Sequence, residues 1–156
     1  MAQALIDSPI GVVTVIANDV GVCRVWFGHL DDDDVNGTSV ADAIVTLAVL
    51  QLREYFDGQR TDFNVPIDRS ERLGFRGEVL TALEHVPFGA TVTYGQVAAR
   101  AGRPKAARAV GTAMSTNPIG IIVPCHRVLP SGGGIGQFGG GVPAKEWLLR
   151  REGSLD

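Results

Sequence analysis

Pro124-Cys125-His126-Arg127 places a thiol beside an imidazole, a pairing that can support nucleophilic chemistry. A thiol attacks carbon as the thiolate, and an unperturbed cysteine, with a pKa of about 8.5, is mostly protonated at neutral pH. A histidine can take that proton, and nearby cations favour the ionised sulfur. Neighbouring side chains on an extended strand point to opposite faces, so this pair needs a local turn or a bridging water. Taken alone, the dipeptide is weak, because most Cys-His neighbours are incidental.

Other residues able to do chemistry read more plainly. Cys23 lies in the apolar stretch Val22-Cys23-Arg24-Val25-Trp26-Phe27 and is expected to be a buried strand residue. Two thiols do not suggest a disulfide framework. His29, His85, His126 and the two cysteines show neither CxxC nor HxxxH spacing, so no metal site is expected. The acidic run Asp31 to Asp34 reads as a solvated loop, since consecutive carboxylates repel one another.

A second unusual stretch is Lys105-Ala106-Ala107-Arg108-Ala109-Val110-Gly111-Thr112-Ala113, a helix of small residues with one long cation. Close packing in a tight core is the plain explanation. The functional one is that Ala107 and Gly111 let the helix lie against a nucleic-acid backbone while Arg108 reaches inward. Arginine suits the minor groove, or the gap left by an extruded base.

These groups need elements to hold them. Gly11 to Ala17 and Val20 to Phe27 are rich in β-branched residues and flank Asn18-Asp19, which predicts a hairpin. Val40 to Phe56 carries Ala43, Ile44, Leu47, Leu50 and Tyr55 at helical spacing and is closed by Asp57-Gly58. Arg60 to Ser70 reads as a connection. Helical spacing returns at Phe75, Val79, Leu80, Leu83 and Val86, before Pro87-Phe88-Gly89.

Thr93 and Gln96 fit a capping box, so a helix is expected to run to about Ala101. Gly102-Arg103-Pro104 is a turn that places Pro104 in the first turn of the next helix, reaching about Ser115. That pair is a helix-turn-helix candidate. A last helix, Val142 to Glu152, is expected to pack Trp147, Leu148 and Leu149. The fold class expected is α+β, with an α+β N-terminal domain over 1–70 and a mostly helical domain over 71–156.

The net charge of −3 hides an asymmetry. Residues 1–70 carry four Lys/Arg against eleven Asp/Glu; residues 71–156 carry ten against six. A polyanion is therefore expected to meet the second half. No apolar run approaches the roughly 20 residues needed to span a bilayer. The N-terminus lacks the basic and apolar regions of a signal peptide, which makes the cytoplasm the expected compartment.

Pro124-Cys125-His126-Arg127, preceded by Asn117-Pro118 and Ile121-Ile122-Val123, resembles the active-site motif of the O6-alkylguanine-DNA alkyltransferases. The resemblance extends through Phe88-Gly89, Val92 to Ala98, Lys105 to Gly111 and Lys145 to Leu149, and ends on Glu152-Gly153, covering most of 75–153 in the family's order. Asp7-Ser8-Pro9-Ile10-Gly11 carries it into the N-terminal half. It implies irreversible transfer of an alkyl group from O6 of guanine onto Cys125 after base flipping, with no cofactor. The implied partner is double-stranded DNA containing O6-alkylguanine, met by a monomer.

The same resemblance implies roles. His126 is a general base acting through a water and polarised by Glu152; Asn117 hydrogen-bonds the active-site backbone. Tyr94 lies near the flipped guanine and its 3′ phosphate and can give the leaving base a proton. Arg108 replaces the flipped nucleotide, with Ala107 and Gly111 on the same DNA-facing helix. Arg127 is a structural ion-pair residue. Val128, Phe138 and Gly139 belong to the guanine pocket, the main chain at Cys125 and Val128 reading the guanine edge. Phe138, Gly139 and Gly120 stand where members of the family carry Tyr, Ser and Pro, which bears on the alkyl groups accepted. Some relatives bind zinc in the N-terminal domain; without a four-ligand set here, none is expected. Two other readings remain at this stage. A lesion sensor that flips the base without transfer replaces the cysteine that is present here. A helix-turn-helix regulator reads the major groove, for which an alanine-rich helix has few suitable side chains.

Overall fold

A computed structural model describes residues 1–31 and 36–156. Asp32, Asp33 and Asp34 of the acidic run lie outside the described residues. The chain divides into two compact units, Met1–Arg69 and Ser70–Asp156. The fold is α+β, as expected.

In the N-terminal unit, strands β1 (Ala2–Ser8), β2 (Gly11–Ala17) and β3 (Val22–Phe27) form an antiparallel sheet in the order β1-β2-β3. The β2–β3 hairpin was expected; β1 was not. Its register pairs Ala2 with Ala17 and Ser8 with Gly11, so Pro9-Ile10 is a turn between strands. Gln3 and Asp7 dilute the apolar pattern of β1, which pairing with β2 overrides.

The hairpin carries a bulge. Ile16 pairs with Arg24 and Ala17 with Val22, leaving Cys23 as the extra residue on β3. Cys23 is consequently half-buried rather than buried: a bulged residue falls out of the in-out alternation that would have turned it to the core. The connection after residue 60 returns to the sheet, with Val22 N–H donating to Pro66 O (2.8 Å) and Asp68 N–H to Val22 O (2.9 Å). Gly21 permits that approach, since a Cβ there would lie 2.6 Å from Ile67 N.

Helix α1 (Ser39–Phe56) is capped by Thr38, whose hydroxyl accepts from Ala41 N–H. Its buried stripe is Ala41, Ile44, Val45, Ala48, Gln51, Leu52, Tyr55 and Phe56. The face read from the sequence was partly wrong: Ala43 is exposed, and Leu47 and Leu50 are 37% and 55% exposed. Both stripes fit helical periodicity in so apolar a helix; packing against β1 and β2 selects the observed one.

The C-terminal unit is mostly helical. Helix α2 (Gly74–Leu83) buries Val79, Leu80 and Leu83, each contributing roughly 1.5–3 kcal/mol by leaving water. Strand β4 (Val92–Thr93) leads directly into α3 (Tyr94–Arg100), closed by the expected capping box: Gln96 N–H donates to Thr93 Oγ1 (3.1 Å) and Thr93 N–H to Gln96 Oε1 (2.8 Å). Helix α4 (Ala107–Ser115) starts later than expected. Pro104-Lys105 form a turn closed by Ala106 N–H to Arg103 O (3.0 Å). No side chain caps α4, so nothing extends the helix back to Pro104.

A 3-10 turn, Cys125–Arg127, precedes β5 (Val128–Leu129), which pairs in parallel with β4. Helix α5 (Val142–Arg151) buries Ala144, Lys145, Leu148 and Leu149. Trp147, expected in the core, is half-buried and lies under the Arg151 guanidinium (5.1 Å to the ring centroid). Among the described residues no helix is long and apolar enough to cross a membrane.

Candidate active site

The segment from Asn117 to Val128 is where backbone geometry and chemistry meet. Ile121 has φ = 69°, the left-handed region that a β-branched residue strongly disfavours. The Asn117 amide spans this strained turn, donating from Nδ2 to Val123 O (3.0 Å) and accepting at Oδ1 from Ile119 N–H (3.1 Å). Beyond it the chain turns sharply at Cys125: Cys125 N–H donates to Val123 O (2.9 Å) and Arg127 N–H to Pro124 O (3.1 Å). This local turn is what the Cys-His pair required.

Cys125 is 8% exposed and lines a cavity of about 180 Å3 together with Tyr94, Gly111, Met114, Phe138 and Gly139. That is below the roughly 300–1,000 Å3 of sites for drug-sized ligands and suits one small planar group. Ser115 and Gln137 complete the wall. Burial pushes the thiol above its ordinary value, while a hydrogen bond from Asn117 and the charge of Lys145 pull it back. The Tyr94 phenol is also raised, by burial and then by Cys125, so it keeps its proton and is a donor.

Behind the thiol lies a buried ionic cluster. Glu152, at the C-terminal end of α5, faces His126 Nε2 at 2.8 Å through Oε2. It accepts from Arg127 Nε at Oε1 (2.7 Å) and from Arg127 Nη2 at Oε2 (3.0 Å). Arg127 Nη1 donates to Val86 O (2.6 Å), so its guanidinium ties Glu152 to the end of the α2 segment. Burial holds His126 below the ordinary imidazole value, against the opposing pull of Glu152. A neutral ring whose Nε2–H donates to Glu152 leaves Nδ1 as the acceptor. Nδ1 is buried and has no hydrogen-bond partner.

The remaining expected residues divide clearly. Phe138 stands edge-on to His126, with ring centroids 6.4 Å apart. Gly139 and Gly111 line the cavity beside it. Val128 does not: it is fully buried in β5, its N–H donating to Cys125 O and its carbonyl accepting from Lys145 Nζ (2.7 Å). Arg108 is exposed on α4, and Ala107 is half-buried in the first turn of the same helix. Met114, Ser115, Gln137 and Lys145 were missed by the sequence reading. Only Lys145 left a signal, as a lysine in register with Leu148 and Leu149 on the apolar face of α5.

Within the C-terminal unit, a cysteine with its base and a half-buried phenol share a cavity whose wall includes a helix of a helix-turn-helix. This defines a single-cysteine group-transfer centre built into a nucleic-acid-binding architecture. Residues 74–154 match the 6-O-methylguanine DNA methyltransferase DNA-binding domain, and residues 1–69 the ribonuclease-like domain of the same family. The chain belongs to the 6-O-methylguanine DNA methyltransferase family. It is 38% identical over 156 residues to a methylated-DNA–protein-cysteine methyltransferase of Methanosarcina acetivorans, covering 99% of both chains. The human protein of that name is 36% identical, with 98% of this chain and 81% of that one covered. A crystal structure of Mycobacterium tuberculosis OGT in complex with DNA superposes with a TM-score of 0.85 at 36% identity, covering 99% of this chain and 94% of that one.

Proposed function

We propose that this protein reverses O6-alkylation of guanine in DNA by moving the alkyl group, once and irreversibly, onto Cys125. The observation that carries this reading is the placement of Cys125 on a base-sized cavity with His126 and Glu152 joined behind it.

The alkylated O6 is out of reach inside a duplex, so the nucleotide leaves the stack at a cost of a few kcal/mol. Arg108, exposed on α4, fills the gap, with Ala107 and Gly111 letting the helix approach the backbone. In the cavity the base packs against Phe138, beside Gly139; main-chain groups at Cys125 and Val128 read its edge.

His126 Nδ1 takes the thiol proton through a water while Glu152 steadies the imidazolium that forms. The thiolate attacks the alkyl carbon; an S–C bond forms as the C–O6 bond breaks, and the bonding pair leaves with guanine. Tyr94 supplies a proton to the leaving base, lowering the barrier where charge develops. Asn117 holds the turn in register, and Arg127 anchors Glu152. The thioether has no easy way back, so each molecule acts once.

The division of labour assigns this work to residues 71–156 and leaves 1–70 as an accompanying α+β domain. The working form is a cytoplasmic monomer on double-stranded DNA. Intact mass spectrometry after mixing with an O6-methylguanine duplex tests the central step. The expected result is a gain of one methylene mass on the Cys125 peptide; an unchanged peptide beside a well-folded protein overturns it.

A further inference from the structure

Lys145 has no exposed surface, and among the described residues its ammonium meets two backbone carbonyls and no carboxylate. Nζ donates to Val128 O (2.7 Å) and to Gln137 O (3.3 Å). A buried cation without an anionic partner is costly, so its position calls for a compensating role. Its two acceptors sit on opposite sides of the reacting sulfur. Val128 immediately follows the turn that carries Cys125, and Gln137 lies in the cavity wall beside Phe138.

That wall is the glycine-rich segment 130–141, whose backbone has unusual freedom to lose. Its other hydrogen bonds are local: Gly133 N–H to Pro130 O, Gly141 N–H to Phe138 O and Lys145 N–H to Gly141 O. The bond from Lys145 Nζ reaches across instead, joining the wall to the strand after the nucleophile.

The charges around the sulfur point the same way. His126 is held neutral by burial, Arg127 is engaged by Glu152, and Tyr94 keeps its proton. Lys145 is the cation that favours the thiolate, and the thiolate in turn favours the ammonium.

We propose that Lys145 is a positioning residue of the transfer reaction: its buried ammonium pins the glycine-rich wall to β5 and supplies the positive charge against which Cys125 ionises. This rests on the alkyl-transfer reading of the site.

The test uses the full chain carrying Cys23→Ala, which leaves Cys125 as the single thiol, with Lys145→Met, Lys145→Gln and Lys145→Arg added separately. The rate of Cys125 alkylation by iodoacetamide is followed against pH, alongside single-turnover methyl transfer from a methylated duplex. Removing an opposite charge beside a thiolate shifts its ionisation by about one unit or more. The Met and Gln variants are therefore expected to show profiles displaced to higher pH. Their transfer should be about tenfold or more slower at neutral pH, recovering as pH rises, while Arg stays near the parent. Folded neutral variants with the parental profile overturn the proposal, because a merely structural lysine would leave the thiol's ionisation where it was. Should neither neutral variant fold, Arg decides: a parental profile supports the charge role, and a displaced one overturns it. Iodoacetamide needs no DNA, so a parent that fails to transfer while the neutral variants are displaced counts against the alkyl-transfer reading and leaves the hold of Lys145 on the thiol supported.

Discussion

The two units bury polar groups in different ways. The N-terminal unit buries Thr14 and Gln51, both neutral and both satisfied. Thr14 Oγ1 donates to Gly28 O (2.8 Å) and accepts from Leu30 N–H (3.1 Å). Gln51 Oε1 accepts from Asn64 N–H (3.0 Å), and its amide donates to the Asn64 side chain. The C-terminal unit instead buries His126, Arg127, Lys145 and Glu152. Desolvating such groups costs several kcal/mol per ion, which their mutual attraction only partly offsets. A neutral, satisfied interior is what a scaffold needs. An interior of partnered charges around one thiol is a poor way to gain stability and a good way to set ionisation, which is why perturbed groups gather at functional sites. The difference separates a unit built to hold its shape from one built to do chemistry.

The largest expected effect sharpens that contrast at its centre. Cys125→Ser should abolish methyl transfer while leaving binding to lesion-containing DNA largely intact, measured by methyl transfer and by gel shift on one duplex. Transfer surviving in this variant would place the chemistry elsewhere.

Glu152→Gln should follow. It leaves Arg127 without its anion and His126 without its orienting carboxylate, and breaking a buried ion pair costs roughly 3–5 kcal/mol. Chemical denaturation should show that loss in the C-terminal unit, together with slow transfer in whatever remains folded. A stability change no larger than that of a surface substitution would mean the cluster is not the costly feature described.

Within the cavity, Phe138→Ala should slow transfer by roughly 5- to 150-fold, the equivalent of the about 1–3 kcal/mol of one base stacked on an aromatic ring. Tyr94→Phe should also slow it markedly, because no second phenol lines the cavity among the described residues. Phe138→Tyr should change little. Single-turnover rates on one methylated duplex compare all three, and a manyfold faster Phe138→Tyr beside a harmless Tyr94→Phe would reverse the assigned division between stacking and proton donation.

Arg108→Ala should slow transfer about tenfold, equivalent to roughly 1.4 kcal/mol. Binding itself should fall with salt and tolerate sequence, as contacts made chiefly to phosphate do. Filter binding at several salt concentrations checks this, and strong preference for one undamaged sequence would favour a regulator. Smallest of all, Cys23→Ala in the other unit should keep full single-turnover activity and shift stability by less than about 1 kcal/mol, since the bulge already leaves this side chain half out of the core. Loss of transfer from a folded Cys23→Ala protein would erase the contrast between the units.

Much of this molecule was legible from the chain alone wherever the determinant is local. The β2–β3 hairpin, the Thr93–Gln96 capping box and the spacing of Val79, Leu80 and Leu83 each follow from neighbours a few residues apart, and the structure contains all three. Cys125 was singled out by its neighbours as well, and the resemblance supplied the functional reading of residues that single-chain chemistry could only suggest. What stayed hidden depends on segments far apart in sequence. β1 exists because β2 offers it a partner, and α1 turns Leu47 and Leu50 outward because the sheet selects between two plausible faces. Cys23 loses its buried place through a one-residue mismatch across the hairpin, which no composition reveals. Lys145 is the sharpest case. A lysine in a sequence reads as a solvated surface charge, and only the fold, by bringing Val128 O and Gln137 O to its ammonium, removes it from water and sets its charge to act on the nucleophile.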